Sequence, residues 1–268
     1  MLSRRPSTWL PVAHSLGPMT IRVAVTGAAG RMGSTVCQAV EQAEGLELVA
    51  RLDVGDTISA ETLNGADVAV DFTVPSVTEA NVHALIDAGV DVVVGTTGWD
   101  EESYARVREH LERPEAAGRS VLIAPNFALS AVLAMRFAAM AAPYFESVEV
   151  IELHHPNKVD APSGTAVATA RAVAAARAAA GVAPSPDATE SDPLGTRGGL
   201  VDGVRVHAVR LRGLTAHEEI VLGNPGEQLT VRTDSFDRSS FMPGVVLAVR
   251  EVGSRQGLSI GLDAVMGL

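Results

Sequence analysis

Lysine is almost missing from this 268-residue chain: of its 21 basic residues all but one are arginine, and the exception is Lys158. Cysteine is equally scarce, with Cys37 alone, which excludes an internal disulfide and a thiolate-built metal site and fits a reducing, cytoplasmic setting. No run of eighteen apolar residues occurs, so no membrane span is expected. Positive charge is in deficit, with a net charge of −11 and a pI near 5.1, and the average field repels nucleic acid and anionic membrane surfaces. An anionic small molecule stays open, because a local basic pocket overrides a global sign. What is present is ordinary for a soluble globular protein, 47% apolar and 20% charged, long enough for one large domain or two modest ones. Residues 1–20 stand apart: the apolar run is broken by Pro11 and His14, which argues against a secretory signal, and Met19 suggests a tail or a misassigned start.

From Ile21 short apolar runs alternate with helical segments. IRVAV (21–25), LELVARLD (46–53), VAVDFT (68–73), VDVVVG (90–95) and SVLIAP (120–125) predict strands, the last three nearly continuous in Val, Ile and Leu as buried parallel strands are. Helices are expected at 32–43, 76–88 and 100–113. The alternation implies an α/β fold with a Rossmann-like doubly wound parallel sheet. After Asn126 the texture changes to that of a second α+β domain. An apolar helix over about 130–145, a strand at 147–155 and an alanine-rich helix over 163–180 are followed by a polar loop with three prolines, 181–200, expected to be the least ordered part. VRVHAVRL, EEIVLG and QLTVRTDS then complete a mostly open, mixed sheet of about four strands. Phe241–Val252 and LSIGLDAV predict a helix and a strand that return to the first domain.

The first strand runs into TGAAGRMG, with glycines at 27, 30 and 33 and Asp53 twenty residues beyond. Gly27 permits the tight turn, Gly30 lets backbone approach a pyrophosphate, Gly33 lets helix pack on strand, and free N–H groups at the helix start meet the anion. The spacing is GxxGxxG rather than the commoner GxGxxG. Asp53, at a strand end, suits the ribose hydroxyls of NAD and repels a 2′-phosphate, whereas Arg31 and Arg51 nearby attract one, so NADH and NADPH are both open. The strand ends Phe72–Thr73 and GTTG (95–98) are expected to line the nicotinamide side of the crevice.

The lone lysine lies in ELHHPNKVDAPSGTA (152–166). His154 and His155 are adjacent on a strand and diverge, which makes joint chelation awkward, so no metal site is expected. An imidazole here suits an acid or donor near a substrate. Pro162 and Ser163 signal a helix start whose exposed N–H groups suit a carboxylate. Arginine stays charged and presents a broad fork; lysine is a compact charge that can also surrender a proton, which is a reason for Lys158 to be lysine.

VTGAAGRMG, VVGTTG, APNF (124–127) and above all ELHHPNKVDAPSGTA resemble the dihydrodipicolinate reductases, also named 4-hydroxy-tetrahydrodipicolinate reductases, of the bacterial lysine and diaminopimelate pathway, from about Ile21 to the C terminus. The resemblance implies reduction of 4-hydroxy-tetrahydrodipicolinate to tetrahydrodipicolinate with loss of water, by hydride from NADH or NADPH. It implies catalytic roles for His154 and Lys158, and a hold on a dicarboxylate by His155, Ser163, Gly164 and Thr165. Cofactor contacts would come from Gly27, Ala28, Ala29, Gly30, Arg31, Met32 and Gly33, from Asp53, from Phe72 and Thr73, from Gly95, Thr96 and Thr97, and from Ala124, Pro125, Asn126 and Phe127. Asn126 and Arg238 flank the crossings between a dinucleotide-binding domain (21–126 and 239–268) and a substrate-binding and oligomerisation domain (127–238). A homotetramer joined through the second domain's sheet is implied too. Close relatives often carry a lysine in the glycine loop; here Arg31 is the charge available. Dual cofactor use is expected. Two other readings stay open: another NAD(P)-dependent imine or amino-acid oxidoreductase, and a non-catalytic dinucleotide sensor.

Overall fold

The computed structural model describes residues 20–267, so the expected N-terminal tail lies outside the described residues apart from Thr20. In chain order β1 (Ile21–Thr26), α1 (Arg31–Gln42), β2 (Leu46–Leu52), β3 (Val68–Asp71), α2 (Pro75–Asp87), β4 (Asp91–Val94), α3 (Glu101–Leu111) and β5 (Ser120–Ile123) form the first half. Then follow α4 (Leu129–Ala141), β6 (Ser147–His154), α5 (Gly164–Ala179), β7 (Gly199–Val201), β8 (Val204–Arg210), β9 (Ala216–Asn224), β10 (Glu227–Ser235), α6 (Met242–Glu251), β11 (Gly257–Ile260) and α7 (Asp263–Met266).

Six strands make one parallel sheet in the order β11-β5-β4-β3-β1-β2. Its central strands are valine-rich because both faces are covered. Val36, Val40, Val245 and Val249 from α1 and α6 pack on one side, and Val82, Leu85 and Val107 from α2 and α3 on the other. Each fully buried valine here contributes roughly 1.5–3 kcal/mol. From β1 the chain moves to β2 on one flank and to β3 on the other, and this reversal opens a crevice beyond the strands' carboxyl ends.

The second sheet has the order β10-β9-β6-β8-β7, parallel only between β6 and β8. Period-two alternation turns Val148, Val150, Val206, Ile220 and Leu222 toward α4 and α5, whose Ala134, Ala138, Ala166 and Ala170 let the helices lie close to the sheet. The opposite face stays half-exposed. Among the described residues no helix is long and apolar enough to cross a membrane.

Three local expectations need correction. The second sheet has five strands, not about four, because β7 forms at the end of the polar loop. That loop is pinned: Asp192 accepts from Thr196 and Arg197 backbone N–H, and Arg197 bridges Asp187 and Glu149. The helix expected over 130–145 ends at Ala141, where Pro143 imposes a short 3-10 turn. LSIGLDAV is not one strand: β11 stops at Ile260, Gly261 turns with φ +87°, and α7 follows.

Candidate active site

The glycine loop is a turn that only glycine fits at two points. Gly27 has φ +75°, and a Cβ on it would overlap the Phe72 carbonyl; a Cβ on Gly33 would overlap the Gly27 carbonyl, which fixes the distance of α1 from β1. The first bond of α1 runs from Ser34 N–H to Gly30 carbonyl at 2.9 Å, so the N–H groups of Arg31, Met32 and Gly33 precede the ladder. Ala28 N–H donates to the Leu52 carbonyl (3.0 Å) and Ala29 N–H to Asp53 Oδ2 (2.5 Å), tying the loop to the end of β2. The N–H groups of Val54 and Ala29 hold the Asp53 carboxyl below the usual carboxylate range. Gly27, Gly30, Asp53, Asp56, Phe72 and Thr73 line a cleft of about 400 Å³. Arg51 is engaged by Glu41 and Arg31 is exposed; neither lines this cleft.

Next to it lies a cleft of about 290 Å³, lined by Met32, Phe72, Thr73, Gly95–Thr97, Pro125–Phe127 and Phe241. Its floor is organised by a residue the sequence reading left without a role. Asp71, at the end of β3, is fully buried and accepts from five neutral donors: the hydroxyls of Thr26 (2.7 Å), Thr73 (3.0 Å), Thr78 (2.7 Å) and Thr96 (2.9 Å) and the Asn81 amide (3.0 Å). Thr96 Oγ1 in turn accepts from Thr73 N–H at 2.8 Å. One carboxylate therefore sets the positions of two turns that line this cleft. An acid inside the apolar run VAVDFT was the available signal.

On the other wall stands the end of β6. Alternation along SVEVIELH puts Glu152 on the helix-covered face with Val148 and Val150, and it is fully buried. Its two oxygens accept from four donors: His154 Nδ1 (2.5 Å), the two Arg210 Nη groups (2.7 and 2.8 Å) and Ser163 N–H (3.0 Å). Burial opposes its charge, but Arg210 and His154 outweigh that and hold the Glu152 carboxyl below its ordinary range. Burial pushes His154 down, against the pull of Glu152. A neutral His154 that donates from Nδ1 to Glu152 offers Nε2 as an acceptor. Periodicity could have flagged Glu152; Arg210 comes from 58 residues away and left no local signal.

Ser163 caps α5, its hydroxyl accepting from Ala166 N–H at 3.1 Å, and the first ladder bond is Val167 N–H to Ser163 carbonyl. The N–H groups of Gly164 and Thr165 thus stand free at the start of a 16-residue helix. Thr165 Oγ1 accepts from Asn126 Nδ2 (3.1 Å), while Asn126 Oδ1 accepts from Ala128 N–H, so Asn126 joins the chain crossing to α5. Lys158 Nζ donates to Asp160 Oδ1 at 2.7 Å, and Arg210 holds the Asp160 carbonyl at 2.7 Å. His154, Lys158, Ser163, Gly164 and Thr165 line one cleft of about 590 Å³. His155 is not brought in: it is exposed and lines neither this cleft nor its neighbour, its carbonyl accepting Lys158 N–H. Ala124 is buried behind Pro125, and Arg238 is exposed on the turn before α6. Thr97, Pro125 and Asn126 line both this cleft and the one beside Phe72.

Family models described as dihydrodipicolinate reductase, N-terminus and C-terminus, match residues 21–127 and 130–266. The chain is 68% identical over 250 residues to the 4-hydroxy-tetrahydrodipicolinate reductase of Beutenbergia cavernae, covering 93% of this chain and all of that one. It is 60% identical to the same enzyme of Bifidobacterium longum over 251 residues, 92% of this chain and all of the other. A solved structure of dipicolinate-bound dihydrodipicolinate reductase from Paenisporosarcina superposes with a TM-score of 0.80 at 37% identity, over 92% of this chain and 99% of that one.

Proposed function

The chain belongs to the dihydrodipicolinate reductase family, and from that premise we propose how its own residues divide the reaction. It is an NAD(P)H-dependent oxidoreductase that reduces 4-hydroxy-tetrahydrodipicolinate to tetrahydrodipicolinate, with loss of water, in lysine and diaminopimelate biosynthesis. The observation that carries the assignment of roles is continuity. Phe72 and Thr73 join the glycine-loop cleft to the middle one, and Thr97, Pro125 and Asn126 join the middle one to the cleft of His154 and Lys158.

The free N–H groups at the start of α1 and the turn at Gly27 fit a pyrophosphate, and Asp53 fits a ribose diol. The bound nicotinamide supplies a hydride. Asp53 and Asp56 line the glycine-loop cleft while no arginine or lysine among the described residues does, which favours NADH over NADPH within a dual use. The free N–H groups of Gly164 and Thr165, with the Thr165 hydroxyl, take a substrate carboxylate at the helix start. Lys158 gives the proton. His154, fixed in one tautomer by Glu152, has an acceptor rather than a proton to offer the cleft, and acts as base and substrate contact. His155 receives no contact in this scheme. The enzyme works in the cytoplasm as a homotetramer, an association supported by the half-exposed face of the second sheet, where Ile151, Leu153 and Val209 lie among ion pairs of Glu149, Arg197 and Arg232.

The test is oxidation of NADH and NADPH with substrate generated in situ from pyruvate and aspartate semialdehyde. Lys158→Ala and Lys158→Arg should each lower kcat by roughly 10²–10⁴-fold. NADH affinity should hold, because Lys158 lies outside the glycine-loop cleft. Turnover by Lys158→Arg near the wild-type rate would show that charge alone, not a transferable proton, is needed.

A further inference from the structure

Glu218 is the buried acid that this scheme leaves unused. It sits on β9 with 3% of its surface exposed, and Oε1 accepts from Thr169 Oγ1 of α5 at 2.7 Å. Oε2 is buried and has no partner among the described residues. With Asn126, His154, Ser163, Thr165 and Thr233 it lines a cavity of about 160 Å³. Four of those residues also line the cleft that holds Lys158: Asn126, His154, Ser163 and Thr165. The small cavity therefore adjoins the substrate cleft as a side recess, with an acid in its wall.

The sheet register fixes what faces this acid. Glu218 pairs across β6 with Glu152 and across β10 with Thr233. Residues directly opposite on neighbouring strands share a face with Cβ atoms about 4.5–5.5 Å apart, so the two glutamates stand side by side. Glu152 takes the cation and the imidazole of this wall: Arg210 and His154 bond to it and not to Glu218. Around the recess α4 contributes Ala131, α5 contributes Thr165 and Thr169, and β10 contributes Thr233 and Ser235, none titratable near neutrality. His217, its neighbour on β9, is engaged by Asp234 at 2.6 Å.

We propose that Glu218 is a specificity-determining residue for the substrate: a proton on its side chain is required for a dicarboxylate to enter the recess. With Oε1 accepting from Thr169, the proton of the neutral acid sits on Oε2, where no described residue takes it. Once ionised, the same group is a second buried negative charge beside Glu152, and it repels a dianion from the place where it is to bind. Burial, reinforced by the charge of Glu152 and opposed by the Thr169 hydrogen bond, pushes the Glu218 carboxyl up to about 7. The switch therefore falls within the working range of a biosynthetic enzyme.

This inference rests on the reading of the cleft as a dicarboxylate site. It is tested by calorimetric titration of the full chain with dipicolinate, a dianion across the range, from pH 6 to 8.5, for wild type, Glu218→Gln and Thr169→Val. Because only the protonated fraction binds, the wild-type Kd should rise about tenfold per pH unit above about 7. Glu218→Gln, which keeps an acceptor for Thr169 and cannot ionise, should lack that limb. Thr169→Val, which removes the bond favouring the carboxylate, should move the limb to higher pH. The same pH dependence in wild type and Glu218→Gln overturns the proposal, and so does a limb that Thr169→Val leaves in place. Reductase turnover at pH 6, measured alongside, keeps the two ideas apart. Turnover with an unshifted binding profile refutes the Glu218 switch alone, whereas absence of both turnover and dipicolinate binding refutes the dicarboxylate reading and the switch with it.

Discussion

Glu152→Gln is the substitution that separates the framework of the site from its chemistry. In the wild type each carboxylate oxygen accepts two donors, Oε1 from Ser163 N–H and Arg210, Oε2 from His154 and Arg210. Glutamine keeps the shape but turns one oxygen into an NH₂ that confronts two donors, so at least two of four bonds are lost and the Arg210 charge loses its counter-ion. Removing one partner of a buried pair costs about 3–5 kcal/mol, because the other charge is left uncompensated. At about 2–4 °C per kcal/mol for a chain of this size, the melting temperature should fall by roughly 6–20 °C. The His154 tautomer is also released, so kcat should fall by about 10²–10⁴-fold at a temperature where the variant is fully folded. NADH affinity, set on the first sheet, should change little. Differential scanning calorimetry, NADH titration and steady-state turnover on one preparation give all three numbers. A variant that melts within about 2 °C of wild type, or that turns over at its rate, would refute the argument that Glu152 organises this wall.

Two further outcomes follow from buried acids. Burial pushes the Glu218 carboxyl up to about 7, above the ordinary glutamate value of 4.5, so folding takes up a proton between those values, and stability falls as pH rises through that window and levels off above it. The loss is about 3 kcal/mol at most, and Glu218→Gln should flatten the decline seen in urea melts between pH 5 and 8. Asp71→Asn would set an NH₂ against hydroxyl donors and free Thr73 and Thr96, weakening NADH binding by about tenfold or more while dipicolinate affinity holds; loss of both affinities together would show general unfolding instead.

The parallel sheet was legible because its signals are local. Valine runs buried on both faces, Gly27 and Gly33 at forced close approaches, and helices between strands can all be seen within a window of a dozen residues. The same holds for α5, whose start at Ser163 is announced by its own cap. What stayed hidden depends on partners distant in sequence. β7 is the exception: it pairs with β8 across the two-residue Asp202–Gly203 turn, both residues at positive φ, a local hairpin signal that lay unread beside the polar loop. Arg210 reads as an ordinary strand-end arginine until β8 pairs in parallel with β6 and brings it to Glu152. Glu218 followed by Glu219 looks like a solvated pair, and only the register separates the buried member from its half-exposed neighbour.

On the proposed roles, lysine and arginine are not interchangeable in this wall. Two cations lie within a few residues' reach of the substrate cleft, and the site asks opposite things of them. Arg210 must stay charged, because it neutralises a fully buried carboxylate; its bonds to Glu152 push its pKa up, and its planar fork meets both oxygens at once. Lys158 is tied at a single point, to Asp160, and faces the cleft. A guanidinium there would make the same ion pair, yet it would not release a proton at any pH the fold survives. On the proposed division of roles, Lys158→Arg keeps the pair with Asp160 and loses the transferable proton. Where a cation only has to hold a carboxylate, arginine does so with better geometry. A proton donor at position 158 needs a charge able to leave, and lysine is the residue that can lose it.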